Sequence, residues 1–330
     1  MAITEFMSAL NQVATERHIT PQDVLDTLDV ALVAAYTKDN PDLSEDDIEK
    51  VTAKIDPESG EVKIFLDGKD VTPAGFGRIA SQTAKQVILQ KIRESEKESI
   101  ADEYRELIGT IVQGYIFRID KDTVVMDVGK THGILPVSEQ IPSERYLMNQ
   151  KYKVLIKDVV EDVPGAGSNI ILSRRDPGFI VELFRQEVPE MFQGVVKIES
   201  IAREAGQRTK IAVSSSEDKV DASGACIGQR GIRVQAVTDE LNGEKIDIIN
   251  FSHDVDKFIA ASLAPAHVID VVLDSDSKTA KVKVDEDQLS LAIGNKGQNA
   301  RLAAKLTGWG INIDGSDIKI DPVETDGDES

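Results

Sequence analysis

The spacing of apolar residues changes along this chain, and each change marks a new kind of element. At the start, Ile3, Phe6, Met7, Leu10, Val13 and Ala14 recur at helical spacing. Thr20-Pro21 reads as N-cap and first helical position, with Asp23 in the first turn. Val24, Leu28, Ala31, Leu32 and Ala35 form the apolar stripe of this second helix. Alternation then takes over. Val51, Ala53 and Ile55 predict a strand, a turn follows at Asp56-Pro57-Glu58-Ser59-Gly60, and Val62, Ile64 and Leu66 predict the return strand. Beyond Pro73 a long helical pattern runs through Phe76, Ile79, Ala80, Ala84, Val87, Ile88 and Ile92, then turns heavily charged over 93–102. That half has few apolar residues and is expected to leave the core as a helical arm.

Residues 106–175 alternate instead. Strands are expected over 109–117, 123–128, 151–157 and 169–172, with Pro164-Gly165-Ala166-Gly167 as the turn before the last. Several short strands in about 70 residues predict a small barrel. Gly109-Thr110-Ile111-Val112 and His132-Gly133-Ile134-Leu135-Pro136 resemble an S1-type oligonucleotide-binding barrel. One stretch departs from that type. Where many such barrels carry base-stacking aromatics on the second-strand surface, this chain reads Asp120-Lys121-Asp122-Thr123. Tyr115, Phe117 and His132 remain as weaker candidates, with packing the favoured role for each. Gly129-Lys130-Thr131 imitates the end of a phosphate loop, but Val124 stands where the upstream glycine is required.

Residues 176–250 and 251–321 each read helix, strand, strand, helix, glycine turn, helix, strand. Ile180, Leu183 and Phe184 mark the first opening helix, and Val255, Phe258, Ile259 and Leu263 the second. The hairpin turn over 274–278 has alternating acids but lacks the glycine and closing glutamate of a calcium loop. The glycine turns are Cys226-Ile227-Gly228-Gln229-Arg230-Gly231 and Ala292-Ile293-Gly294-Asn295-Lys296-Gly297. A bare Gly-x-x-Gly is weak, because a chain of this composition shows one or two by chance. The context is stronger. After the first turn, Val234, Val237 and Leu241 run to a stop at Gly243; after the second, Ala300, Ala303 and Leu306 run to Gly308. Strands are expected next, at 245–249 and 311–313.

Between two helices, such a turn leaves backbone N–H groups free at the second helix's N-terminus, where the dipole favours an anion. The glycines admit a phosphodiester backbone closely, and Arg230 or Lys296 adds a positive charge. A KH module clamps about four nucleotides of single-stranded nucleic acid in this way. The alternative for either copy alone is a helix connection that merely needs glycine. Two copies 66 residues apart favour the clamp. The candidate RNA-binding residues are Gly228, Gln229, Arg230, Gly231 and Arg233 in the first copy. In the second they are Gly294, Asn295, Lys296, Gly297 and Arg301.

Composition narrows the class. At 330 residues the chain exceeds one core and suggests two to four domains. The longest apolar runs, 31–36 and 268–273, are far too short for a transmembrane helix, and no secretory signal is expected. A single cysteine, Cys226, excludes disulfides within the chain and most zinc sites; it reads as a small buried hydrophobe. A cytoplasmic protein is expected, with no metal and no cofactor. Net charge is −20, which runs against nucleic-acid binding. It is unevenly spread: −9 over 1–105, −7 over the much longer 106–322 and −4 over the last eight residues. A local basic surface in the middle is compatible with an acidic remainder that suppresses non-specific DNA binding.

The complete order resembles the NusA family of bacterial transcription elongation and termination factors. The matches are most specific at Arg208-Thr209-Lys210-Ile211-Ala212-Val213, over 224–237 and over 292–302. Ala222 departs from the proline usual there, and the chain looks like the short form without C-terminal acidic repeats. The resemblance implies a multidomain α+β protein. Its parts would be an N-terminal RNA polymerase-binding domain (1–105), an S1-type OB-fold β-barrel (106–175) and two tandem prokaryotic-type (type II) KH domains (176–250 and 251–321). An acidic disordered tail (322–330) would follow. It further implies a monomeric, non-enzymatic factor that binds RNA polymerase, nascent single-stranded RNA and other antitermination factors, modulating pausing, intrinsic termination and antitermination. The competing readings are an exoribonuclease that grips substrate with S1 and KH modules, and a ribosome-associated RNA-binding adaptor. Residues 1–105, the only region free for catalysis, hold one histidine, His18, and no metal-ligand cluster.

Overall fold

A computed structural model describes residues 21–55, 62–160, 170–314 and 319–320. The helix expected over 3–14, Thr20, the turns at 56–60 and 164–167, and the acidic tail lie outside the described residues. The chain divides into two compact units, Met1–Glu103 and Tyr104–Ser330.

In the first unit, α1 (Pro21–Asp39) and a short α2 (Glu45–Ile48) precede an antiparallel sheet of β1 (Val51–Ile55), β2 (Val62–Leu66) and β3 (Lys69–Asp70). The alternation reads through directly. Val51 lies opposite Leu66 and Ala53 opposite Ile64, so Val51, Ala53 and Ile64 share the buried face. Leu28 and Leu32 are fully buried on α1, each contributing about 1.5–3 kcal/mol by burial. From Phe76, itself buried, α3 (Phe76–Arg105) runs unbroken through the charged stretch. The two short elements α2 and β3 had no expectation. Ser44 caps α2 by accepting from the Asp47 N–H.

The second unit opens with a closed five-stranded barrel. Its strands are β4 (Ile111–Asp120), β5 (Thr123–Asp127), β6 (His132–Leu135), β7 (Lys151–Val159) and β8 (Ile170–Ser173), in spatial order β4-β5-β6-β8-β7. The motif at 132–135 is thus the strand that closes the barrel, pairing antiparallel to β5 and parallel to β8. Gly133 is required there, since a Cβ would lie 2.6 Å from Leu172 Cδ1 across the interior.

Two α/β modules follow. The first comprises α4 (Pro177–Glu187), α5 (Pro189–Phe192), β9 (Val196–Glu204), β10 (Arg208–Ser215), α6 (Ala222–Ile227), α7 (Ile232–Glu240) and β11 (Lys245–Asn250). The second comprises α8 (Val255–Ser262), β12 (Val268–Asp274), β13 (Thr279–Val284), α9 (Leu289–Ile293), α10 (Gln298–Thr307), β14 (Gly310–Ile313) and β15 (Lys319–Ile320). In both, the third strand pairs parallel to the second, closing the same αββααβ topology. The helix stripes read from sequence are the cores. Ile180, Leu183, Phe184, Val237 and Leu241 are buried in the first, and Ile259, Leu263, Ala300 and Ala303 in the second. Gly308 ends α10 in the left-handed conformation; after α7, Asn242 and Gly243 both take positive φ.

The barrel and the modules are locked together by buried ions. The Arg174 guanidinium, 1 % exposed, donates to both oxygens of Glu144 and to the Lys153 carbonyl in the barrel. It also donates to the carboxylate and carbonyl of Glu240 on α7, and lies over the Tyr152 and Phe179 rings. Burial alone would lower its pKa, but the Glu144 and Glu240 carboxylates outweigh that and raise it. Glu244, fully buried, accepts from Arg203 Nε and Nη2, the Gly206 N–H and Thr209 Oγ1. The modules share a further apolar seam: Ala202, Ala212 and Ile249 of the first sheet against Phe258, Leu302 and Leu306 of the second module. Buried Lys210 crosses that seam, donating to Asp247 and to the Ala264 carbonyl. Burial lowers its pKa, and Asp247 opposes the shift.

Candidate nucleic-acid interface

Both glycine turns fold to one backbone conformation. Gly228 (φ 74, ψ 172), Arg230 (φ 56, ψ 23) and Gly231 (φ 80, ψ 12) match Gly294 (φ 74, ψ 176), Lys296 (φ 50, ψ 32) and Gly297 (φ 75, ψ 13). Glycine accepts such angles freely, whereas Arg230 and Lys296 do so at a cost of about 1–2 kcal/mol each. Strain repeated at equivalent positions marks a conformation that the surroundings impose. Those surroundings are visible. A Cβ on Gly228 would stand 2.7 Å from Arg233 Cγ, and one on Gly294 2.8 Å from both Cβ and N of Asn299. Each first glycine is therefore seated against the residue five positions on.

The consequence is a presented surface. Gln229, Arg230, Asn295 and Lys296 are exposed, and among the described residues neither cation makes an ion pair. The Ile232 and Gln298 N–H groups donate back to the Gln229 and Asn295 carbonyls, but neither α7 nor α10 has a side-chain N-cap over the N–H groups that follow, where the helix dipole favours an anion. Eight of the ten candidate residues thus lie on the two turns. Arg233 and Arg301 are differently placed. Arg233 turns back on its own module, donating to the Ala225 carbonyl (2.6 Å) and pairing with Glu190 (3.0 Å). Arg301 pairs with Glu204 of the first module (2.6 Å) and reaches the Lys296 carbonyl (3.3 Å). Both brace a loop from behind. Asn299 does the same in the second module, donating to the Leu263, Leu291 and Ala292 carbonyls.

Cys226 lies fully buried beneath the first turn, and burial with nearby Glu190 pushes its thiol pKa up to about 11. Almost no thiolate exists at neutral pH, so alkylation should be undetectable in the native chain and rapid in denaturant. Equal labelling rates in the two states would contradict this placement.

The barrel corrects one expectation. The 120–123 stretch is the tip of the β4–β5 hairpin: Asp120 and Thr123 form the last strand pair, and Lys121, at φ 56, lies in the turn between them. Stacking candidates lie instead on the outer face of β4, where Tyr115 is 53 % and Phe117 52 % exposed. Neither is core packing. The Phe117 ring lies 4.5 Å from that of half-buried His132, and Lys151 Nζ sits 5.7 Å above the Tyr115 ring. A register shift at Ile116/Arg118 coincides with Phe117. Alternation alone does not reveal such a bulge.

Comparison with known families agrees with this architecture. Residues 5–72 and 66–98 match the NusA N-terminal domain, and 107–175 the S1 RNA binding domain. Residues 174–251 match the NusA-like first KH domain, and 255–319 the NusA-like second KH domain. Relatives named transcription termination/antitermination protein NusA are similar over almost the whole chain. The Bacillus subtilis protein is 37 % identical, over 99 % of this chain and 96 % of its own. The Thermus thermophilus protein is 36 % identical, over 95 % and 90 %. That of Mycobacterium tuberculosis is 41 % identical, over 94 % and 92 %.

Proposed function

This chain belongs to the NusA family of transcription termination/antitermination proteins, and we propose that it grips emerging single-stranded RNA while bound to RNA polymerase. The supporting observation is the pair of congruent glycine turns, each presenting an exposed cation and uncapped helix N–H groups. Residues 1–105 dock on the polymerase, 106–175 and the KH domains at 176–250 and 251–321 contact transcript, and the factor works in the cytoplasm without catalytic turnover. The two turns admit a phosphodiester backbone closely because Gly228, Gly231, Gly294 and Gly297 carry no side chain, with Arg230 and Lys296 supplying charge. Arg233 and Arg301 hold the loops in place. The exposed Tyr115 and the Phe117–His132 pair offer π-faces for bases, where stacking contributes about 1–3 kcal/mol per base.

The energetics explain why separate modules serve. Each grips weakly, but tethering to polymerase beside the exit of the transcript raises the effective concentration to the order of mM for a short linker. Holding the strand then prolongs pauses and biases hairpin folding. Deleting residues 1–103, the first compact unit, should leave affinity for single-stranded RNA nearly unchanged and remove the effect on pausing in reconstituted transcription. A truncated chain that lengthened pauses at the same concentration would place the polymerase contact elsewhere.

A further inference from the structure

A cleft of about 500 Å³ opens where the barrel, the linker after β8 and both KH modules meet. Its walls come from Glu139 and Lys157 of the barrel, Arg175 of the linker, Glu204 and Gln207 of the first module, and Lys305 on α10. The cleft is preformed. Arg203 donates to the Arg174 and Asp176 carbonyls from one side. On another, Gly206 sits so close to Ser143 and Ile141 that a Cβ would collide with both.

The charges in this cleft are unequally committed. Glu139 accepts from Lys157 (2.6 Å) and from Ser173 Oγ. Asp176 accepts from the Gly178 N–H, capping α4, with Lys157 at 3.9 Å. Glu204 accepts from Arg301 and from Gln298 Nε2. All three carboxylates are thereby engaged. The cations Arg175 and Lys305 are exposed, and among the described residues neither side chain meets a carboxylate; the Arg175 guanidinium makes only a 3.5 Å contact to the Ser138 carbonyl. The surplus in the cleft is positive, within an acidic chain.

The cleft is also linked to the second glycine turn through Glu204. Glu204 lines it while holding Gln298 and Arg301, and Arg301 reaches the Lys296 carbonyl. From Gln298 to Lys305, α10 advances about 10 Å at 1.5 Å per residue. That is within reach of a strand extending past a clamp of about four nucleotides.

We propose that this cleft is a further RNA contact, in which Arg175 and Lys305 take phosphates of the strand running between the second KH loop and the barrel. The proposal rests on the single-stranded RNA reading and adds a site to it. Replacing both residues by Glu in the full chain should leave an RNA of about 4 nucleotides, which spans one KH clamp, bound as before. An RNA of about 16 nucleotides should bind at least several-fold more weakly. Its salt slope should fall by about 1.4, two phosphate contacts at about 0.7 each. The conservative pair Arg175→Lys and Lys305→Arg should restore both. Unchanged affinity and slope for the long RNA, with loop variants impaired, would overturn the cleft alone; unimpaired loop variants would overturn the RNA reading itself. Amine acetylation of the unaltered chain gives an answer independent of any variant's folding. The long RNA should protect Lys305 and the short one should not. Protection by an acidic peptide but not by RNA would assign the cleft to a protein and sink the proposal.

Discussion

Arg174→Ala should destabilise the joint between barrel and first KH module by about 3–5 kcal/mol, although Arg174 touches neither glycine turn. The guanidinium makes five hydrogen bonds, to Glu144, Glu240 and the Lys153 and Glu240 carbonyls. Removing it leaves Glu144, whose side chain is 4 % exposed, without its cation and with the Tyr146 hydroxyl as its remaining side-chain donor among the described residues. The cost is mainly that of a buried carboxylate that has lost its cation, not the net worth of the pair. Arg174→Lys should recover little, because one ammonium does not reproduce a planar fork facing carboxylates on two sides. Hydrogen exchange resolved by segment is the suitable readout, since a chain of several domains does not melt as two states. Protection should fall in β7 and α7 together. Retained protection in both segments would show that apolar packing around Phe179 carries the joint instead.

The parts of this molecule legible from sequence are those specified locally. Gly228, Gly231, Gly294 and Gly297 each demand positive φ, and helical spacing resumes immediately after each turn. The turns, their helices and the repeated topology therefore show in one pass along the chain. Arg230 and Lys296 could be named as presented cations for the same reason, but not their left-handed backbone, nor the seating of Gly228 against Arg233 and of Gly294 against Asn299. The bracing ions were illegible. Arg174 meets Glu240 across 66 positions and Arg301 meets Glu204 across 97, and no short-range pattern distinguishes such residues from solvated charges. Proximity to the loops marks Arg233 and Arg301 as candidate RNA contacts but does not reveal their ion pairs with Glu190 and Glu204. In the barrel, alternation showed that β4 has two faces but not which one points out. Barrel closure through β6 and the register shift beside Phe117 decide that.

The largest functional loss should come from reversing charge on both turns: Gln229, Arg230, Asn295 and Lys296 all to Asp. Folding should survive. All four side chains are exposed, the glycines stay, and aspartate tolerates the left-handed angles of positions 230 and 296. The variant shifts the loops by about six units of negative charge, placed where a phosphodiester would approach within a Debye length of about 10 Å. Affinity for single-stranded RNA should fall by at least about 100-fold, or about 2.8 kcal/mol. If the rigid pair of modules holds one continuous strand, changing either turn alone should already lose much of that. Once one clamp lets go, the other no longer benefits from a tethered strand. Independent sites would instead leave the unaltered module binding with its own constant.

The measurement that bears most directly on the central claim is therefore a fluorescence-anisotropy titration of single-stranded RNA at two salt concentrations, comparing the parent with the four-site variant. Circular dichroism of both should confirm the same fold. The account predicts a steep salt dependence in the parent, a loss of at least about 100-fold in the variant and a slope smaller by about 1.4, for two lost phosphate contacts. A folded variant that binds RNA as the parent does, with the same slope, would mean that the two glycine turns only connect helices.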